Sequence, residues 1–158
     1  MATLVLVRHA KADRPPGLAD IDRDLSTRGE RDAALVGAFL AGAIPPPGVL
    51  LSSPARRARR TAELMAAAAG WKHAIHTLDR LYHGGVADLL AALAAADGDP
   101  VVAFGHEPVW SATIATIVGG GGLVMVTAAA ACVEGEAETG GGVLRWLIAP
   151  VALGGGPS

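Results

Sequence analysis

Residues 3–9 read Thr3-Leu4-Val5-Leu6-Val7-Arg8-His9. An apolar run that stops abruptly at two polar residues predicts a buried strand over 3–7. A second such run, Val101–Phe104, stops at Gly105-His106. Between them, helix and strand patterns alternate. Residues 13–24 hold Pro15, Pro16 and Gly17 with Asp13, Asp20, Asp22 and Asp24, and read as a polar loop. Thr27-Arg28-Gly29-Glu30 has capping-box spacing, and Leu35, Val36, Phe39 and Leu40 recur at helical intervals up to Gly42, before Pro45–Pro47. Val49–Leu51 reads as a short strand. Ser53-Pro54 opens a helix that Gly70 closes. Ala74–Leu78 is a third strand. Val86–Ala96 is a helix with Leu89, Leu90 and Leu93 inward, and Pro108–Val118 is a last helix broken by Gly119–Gly122. Leu123–Cys132 and Val143–Ile148 form a closing pair of strands across an acidic, glycine-rich turn.

Strands alternating with helices predict an α/β fold with a mostly parallel central sheet. The last two strands have no helix between them, so at least one runs antiparallel. The 158 residues form one domain over 1–153, with 154–158 a flexible tail. Hydrophobic residues at 51% and charged residues at 18% exclude a disordered chain, although 33 alanines supply much of the apolar share. The one cysteine, Cys132, excludes internal disulfides and multi-cysteine metal sites, and its apolar surroundings predict a buried, inert thiol. No apolar run reaches the ~20 residues of a membrane span, and no basic leader precedes the first strand. The expectation is a cytoplasmic protein without a membrane partner.

Charge is unevenly spread. Residues 1–60 carry ten of the thirteen Lys and Arg against six acids, and the rest carry three against nine. A local arginine cluster in a slightly acidic chain fits a small anionic ligand better than nucleic acid, and 4% aromatics offer no stacking platform. In open α/β sheets ligands bind at the carboxyl ends of strands. His9 and His106 fall at two such ends. A third, Ser52-Ser53-Pro54, leads into Arg56, Arg57, Arg59 and Arg60. Guanidinium forks match phosphate oxygens, and neutral imidazole can accept a phosphoryl group. Residue types alone therefore point to phosphoryl transfer through histidine.

The segments Leu4–Ala12, Leu25-Ser26-Thr27-Arg28-Gly29, Ser53-Pro54-Ala55-Arg56-Arg57-Ala58-Arg59-Arg60-Thr61, Leu81-Tyr82 and Gly105-His106-Glu107-Pro108 resemble, in order and over about residues 3–118, the motifs of the histidine phosphatase superfamily. The small SixA-type phosphohistidine phosphatases are the nearest branch. The resemblance implies a phosphoglycerate mutase-like three-layer sandwich. It also implies that His9 becomes phosphorylated, that Arg8 and Arg57 clamp phosphate, and that His106 bonds the phosphoryl oxygens. Register favours Arg57 over Arg56. Lys11 adds charge at the mouth. The superfamily's larger members use a carboxylate as general acid, and here Asp79 is the candidate by position.

No cofactor is expected. Two arginines and one or two imidazolium protons offset the ~−1.5 to −2 charge of a phosphate without a cation. The aspartates of residues 13–24 are the rival hard-cation site, but they lack the glycine and glutamate of an EF-hand loop. The expected partner is a protein carrying phosphohistidine. A small-molecule phosphomonoesterase and a phosphate-binding module without turnover are the alternatives. His73 and His76 have no matching context and read as surface residues. His83 and Tyr82 are possible lining at the mouth.

Overall fold

The computed structural model describes residues 2–137 and 140–156. Six strands form one sheet: β1 (Thr3–Arg8), β2 (Val49–Ser52), β3 (Ile75–Thr77), β4 (Val101–Gly105), β5 (Ala130–Glu134) and β6 (Val143–Ile148), in the order β3-β2-β4-β1-β5-β6. β1, β2, β3 and β4 pair in parallel, and β5 runs antiparallel to both β1 and β6. The expected mostly parallel sheet with an antiparallel strand is therefore present. The order reverses around β1 and β4, which end side by side at the sheet's centre.

Alternation along β1 decides the layers. Val5 and Val7 join a core with Val36, Leu40, Met65 and Phe104 under α1 (Thr27–Ala43) and α2 (Arg56–Ala69). Leu4 and Leu6 join Leu89, Leu93, Trp110 and Ile114 under α3 (Arg80–His83), α4 (Val86–Ala95) and α5 (Val109–Ile117). Both faces of a parallel sheet must be covered, which makes three layers. No helix among the described residues is long and apolar enough to cross a membrane.

Several boundaries move for local reasons. The cap of α1 is Ser26, whose hydroxyl accepts from Gly29 N at 3.0 Å, so the capping signal sits one residue before Thr27. α2 starts at Arg56 rather than at Pro54, because Ser53 Oγ accepts from Ala55 N and folds the chain into a turn first. Gly70 ends α2 at φ +75°, as its position predicts. α3 is a single turn that no periodicity could announce.

The largest departure is over 123–129, which is not a strand. It crosses the carboxyl end of β1, with Arg8 N donating to Ala129 O and Ala128 N to His9 O. Of the turn before β6, Glu138 and Thr139 lie outside the described residues, as do Pro157 and Ser158 of the expected tail. Gly154–Gly156 lie beside Arg31, Asp32 and Leu35 of α1.

Gly105 ends β4 against the buried indole of Trp110, and a Cβ there would overlap that ring. Trp110 cannot retreat easily, because its Nε1 donates to Ala103 O at 3.1 Å. Gly105→Ala should therefore destabilise the fold by about 1–3 kcal/mol, a fall in melting temperature of roughly 2–10 °C at this size. Adding Trp110→Phe should restore part of the loss. A Gly105→Ala variant that melts with the parent would refute this packing.

Candidate active site

The parallel register pairs Arg8 with Gly105 and Ser52 with Phe104. The residues that follow, His9, His106 and Ser53, therefore leave the sheet together. His9 N donates to Gly105 O at 2.9 Å, and Ser53 N to Phe104 O at 3.0 Å. The two imidazoles come to rest with their centroids 5.3 Å apart. They line a cleft of about 580 Å³ with Arg8, Arg57 and Glu107, and with Arg14, Asp20, Arg23, Tyr82 and His83 toward its mouth.

His9 Nδ1 lies 2.8 Å from Ala10 O. A carbonyl can only accept, so Nδ1 carries the proton and the lone pair of the neutral ring sits on Nε2. The next peptide is pinned from below: Ala10 N donates to the hydroxyl of Thr61, and that hydroxyl donates to Arg57 O. One fully buried threonine thus ties the histidine loop to the helix that carries Arg57. His106 is anchored through Nε2 to Ser53 Oγ at 2.7 Å.

Burial, followed by the positive charges of Arg57 and Arg8, holds both imidazoles in the neutral form. His9 is pushed down to about 3 and His106 to about 4. Burial also lowers Arg8, against the pull of the nearby Glu107 carboxylate, but a guanidinium stays charged at neutral pH.

Arg8 Nη1 donates to Met125 O, while Arg57 donates through Nη1 to Asp20 O and through Nη2 to Asp20 Oδ2. The Nε atoms of both arginines are buried and have no partner among the described residues. A buried donor left unpaired costs roughly 1–3 kcal/mol, a cost that a hydrogen-bond acceptor reaching either Nε would remove.

Of the expected site residues, Arg8, His9, Arg57 and His106 meet in this cleft, and two others do not. Lys11 is exposed and outside the lining; only its carbonyl is used, accepting from Ser26. Asp79 is likewise exposed and outside the lining. It sits at the start of α3, whose single turn carries Tyr82 and His83 into the cleft instead. Arg56 points away and pairs with Asp24 on the surface. His73 and His76 are exposed.

Sequence reasoning gave no role to Arg14, Arg23, Ser53 or Glu107. Glu107 directly follows His106 and is the one glutamate on the cleft. Its oxygens accept from Ser111 N at 2.9 Å and from Ser111 Oγ at 2.5 Å. Among the described residues, no group of three or more His, Cys, Asp or Glu is placed to hold a metal.

Fold and cleft together define an α/β protein built around paired neutral histidines and buried guanidiniums at the carboxyl edge of its sheet. The chain belongs to the histidine phosphatase superfamily (branch 1), whose family model matches residues 4–84. An uncharacterized protein of Mycobacterium tuberculosis is 37% identical over 109 residues, 67% of this chain; the chain covers 66% of that relative's length. A structure described as a proposed phosphohistidine phosphatase SixA from Nakamurella multipartitia is similar with a TM-score of 0.79 at 31% identity, over 95% of this chain and 96% of that one. The protein histidine phosphatase SixA complexed with tungstate superposes with a TM-score of 0.84 at 25% identity, over 96% and 99% of the two chains.

Two outcomes follow from the geometry. Arg57→Ala should lower kcat/KM about 30- to 1000-fold in a phosphatase assay, the loss of roughly 2–4 kcal/mol of charge-assisted contact. Arg56→Ala should change it less than about threefold, and equal effects would refute the assignment.

The second outcome concerns protonation. An unfolded histidine titrates at about 6.5. Below that pH the unfolded chain takes up protons at positions 9 and 106 that the folded chain refuses. Their contribution to stability is therefore full above pH 6.5 and declines as pH falls toward 4. The imidazole resonances of His9 and His106 in NMR should still be those of neutral rings at pH 5.5. Titration near 6.5 would show that burial does not govern them.

Proposed function

We propose that this protein is a phosphatase that removes phosphoryl groups from protein-borne phosphohistidine through a covalent intermediate on His9. The observation that carries this reading is the placement of His9: a neutral ring with its proton fixed on Nδ1 by Ala10 O, its Nε2 lone pair available, and the half-buried Arg8 and buried Arg57 guanidiniums on the same cleft. The likeness to SixA proteins, one of them solved with the oxyanion tungstate, supports it.

In the first step the Nε2 lone pair attacks phosphorus and the P–N bond to the substrate imidazole breaks. A substrate ring protonated on its distal nitrogen leaves as neutral imidazole. His9 keeps its own Nδ1 proton and becomes the phosphoimidazolium. Bonds and protons on the two sides are the same in kind, so the transfer is close to balanced and needs no general acid. In the second step water attacks phosphorus, the P–N bond to His9 breaks, and orthophosphate leaves with both protons of the water. Arg8 and Arg57 neutralise the equatorial oxygens throughout, which is most of what such a transfer requires.

A phosphomonoesterase reading draws on Glu107, a carboxylate on the cleft that could serve an alkoxide leaving group. Both its oxygens are already engaged by Ser111, which favours the phosphohistidine reading. Brief incubation with a ³²P-phosphohistidine protein should place label on His9 and release orthophosphate. His9→Ala should show neither, and excess EDTA should leave turnover in place. Faster turnover of an alkyl or sugar phosphate than of the phosphohistidine protein would move the function to small esters. Label on another residue would refute the intermediate.

A further inference from the structure

The carboxylate of Asp20 is held more firmly than its place in the chain explains. It sits on the 13–24 loop with its side chain 54% exposed. Yet Oδ1 accepts from Arg23 Nη1 at 3.0 Å, and Oδ2 accepts from Arg57 Nη2 at 3.0 Å and from the Tyr82 hydroxyl at 2.7 Å. The guanidiniums belong to side chains only 11% and 8% exposed. Arg57 comes from α2, Tyr82 from α3 and Arg23 from the loop itself. Two nearly buried guanidiniums and a phenol converging on one point are a donor set for an oxyanion, whether carboxylate or phosphoryl. The Tyr82 hydrogen bond first, and then the two arginines, hold the Asp20 carboxyl well below the usual carboxylate range.

The loop is fastened at its base, and at Asp20 by polar contacts alone, Arg57 Nη1 also donating to Asp20 O at 2.7 Å. Asp13 N donates to Asp24 O, Ser26 N donates to Lys11 O, and Ala12 bridges Leu25. Residues 13–20 are all exposed, so no apolar burial anchors the turn that carries Asp20.

We propose that Arg23, Arg57 and Tyr82 form an oxyanion subsite of the cleft that Asp20 fills in the free protein and that a phosphoryl oxygen of substrate or product takes over on binding. The carboxylate leaves with its turn, and the donors pass to the phosphate. This rests on the reading of the cleft as a phosphate site. The rival role for Asp20, a brace that merely positions Arg57, predicts the opposite sign.

The test is orthophosphate binding by isothermal titration calorimetry at pH 7 and fixed low salt. Asp20→Asn keeps the size and removes the competing charge, so orthophosphate should bind about three- to tenfold tighter, the scale of a partly exposed ion pair lost and a repulsion removed. Tyr82→Phe in the Asp20→Asn background should undo most of that gain, since the hydroxyl has by then gone over to phosphate. Binding that is weaker or unchanged in Asp20→Asn, with the parent still binding, overturns the exchange and leaves the cleft reading standing. Tyr82→Phe without effect in that background also overturns it, by removing Tyr82 from the subsite. Absence of orthophosphate binding in every form overturns both readings.

Discussion

The register between β1 and β4 is the constraint on which the site depends. Arg8 opposite Gly105 means that the two strands end level, and each is followed by a histidine. Side chains alternate across a strand, so a slip of one residue would exchange the faces of Leu4, Val5, Leu6 and Val7. The two helical layers therefore lock the register by demanding different residues on each face. The same lock sets Ser53 beside His106, because β2 pairs with the far edge of β4. The geometry of the cleft follows from core packing, and the loops only complete it.

Histidine neutrality follows from the same placement. Rings at the ends of two central strands line the cleft half-buried and lose part of their water, which penalises the charged form. The neighbouring guanidiniums add to that penalty. An imidazole lone pair that stays unprotonated well below neutral pH thus follows from burial, while arginines, which keep their charge when buried, carry the positive potential. Division of labour between neutral imidazole and fixed guanidinium explains why two residue types recur at three strand ends.

Much of this was legible in the sequence because it is local. Apolar runs with abrupt polar ends marked β1 and β4 and put His9 and His106 at the sheet's edge, and the resemblance of residues 53–61 to the family's motif separated Arg57 from Arg56. What was not legible depends on long-range meetings. Tyr82 and Asp20 stand 62 positions apart and touch only because α3 and the 13–24 loop fold over the same cleft. The 123–129 segment has strand composition, but its backbone donors and acceptors go to Arg8 and His9 at the end of β1 rather than to a neighbouring ladder. Asp79 lies three residues before Tyr82 and still misses the cleft, since it is the cap residue ahead of α3 and its side chain stays exposed to solvent.

The cleft's charge balance links fold to proposed chemistry. Four guanidiniums, from Arg8, Arg14, Arg23 and Arg57, and two carboxylates, from Asp20 and Glu107, line it, while His9 and His106 are neutral. The fixed excess of two positive charges matches the ~−1.5 to −2 charge of a bound phosphoryl group. Were the imidazoles protonated, the free cleft would carry about four uncompensated charges, and the Nε2 lone pair of His9 would be lost. Without Asp20 and Glu107 the excess would rise to four positive charges, and Arg23 and Arg57 would lose the carboxylate they share. The arrangement therefore sets two neutral imidazoles among guanidiniums whose charge two carboxylates compensate in part.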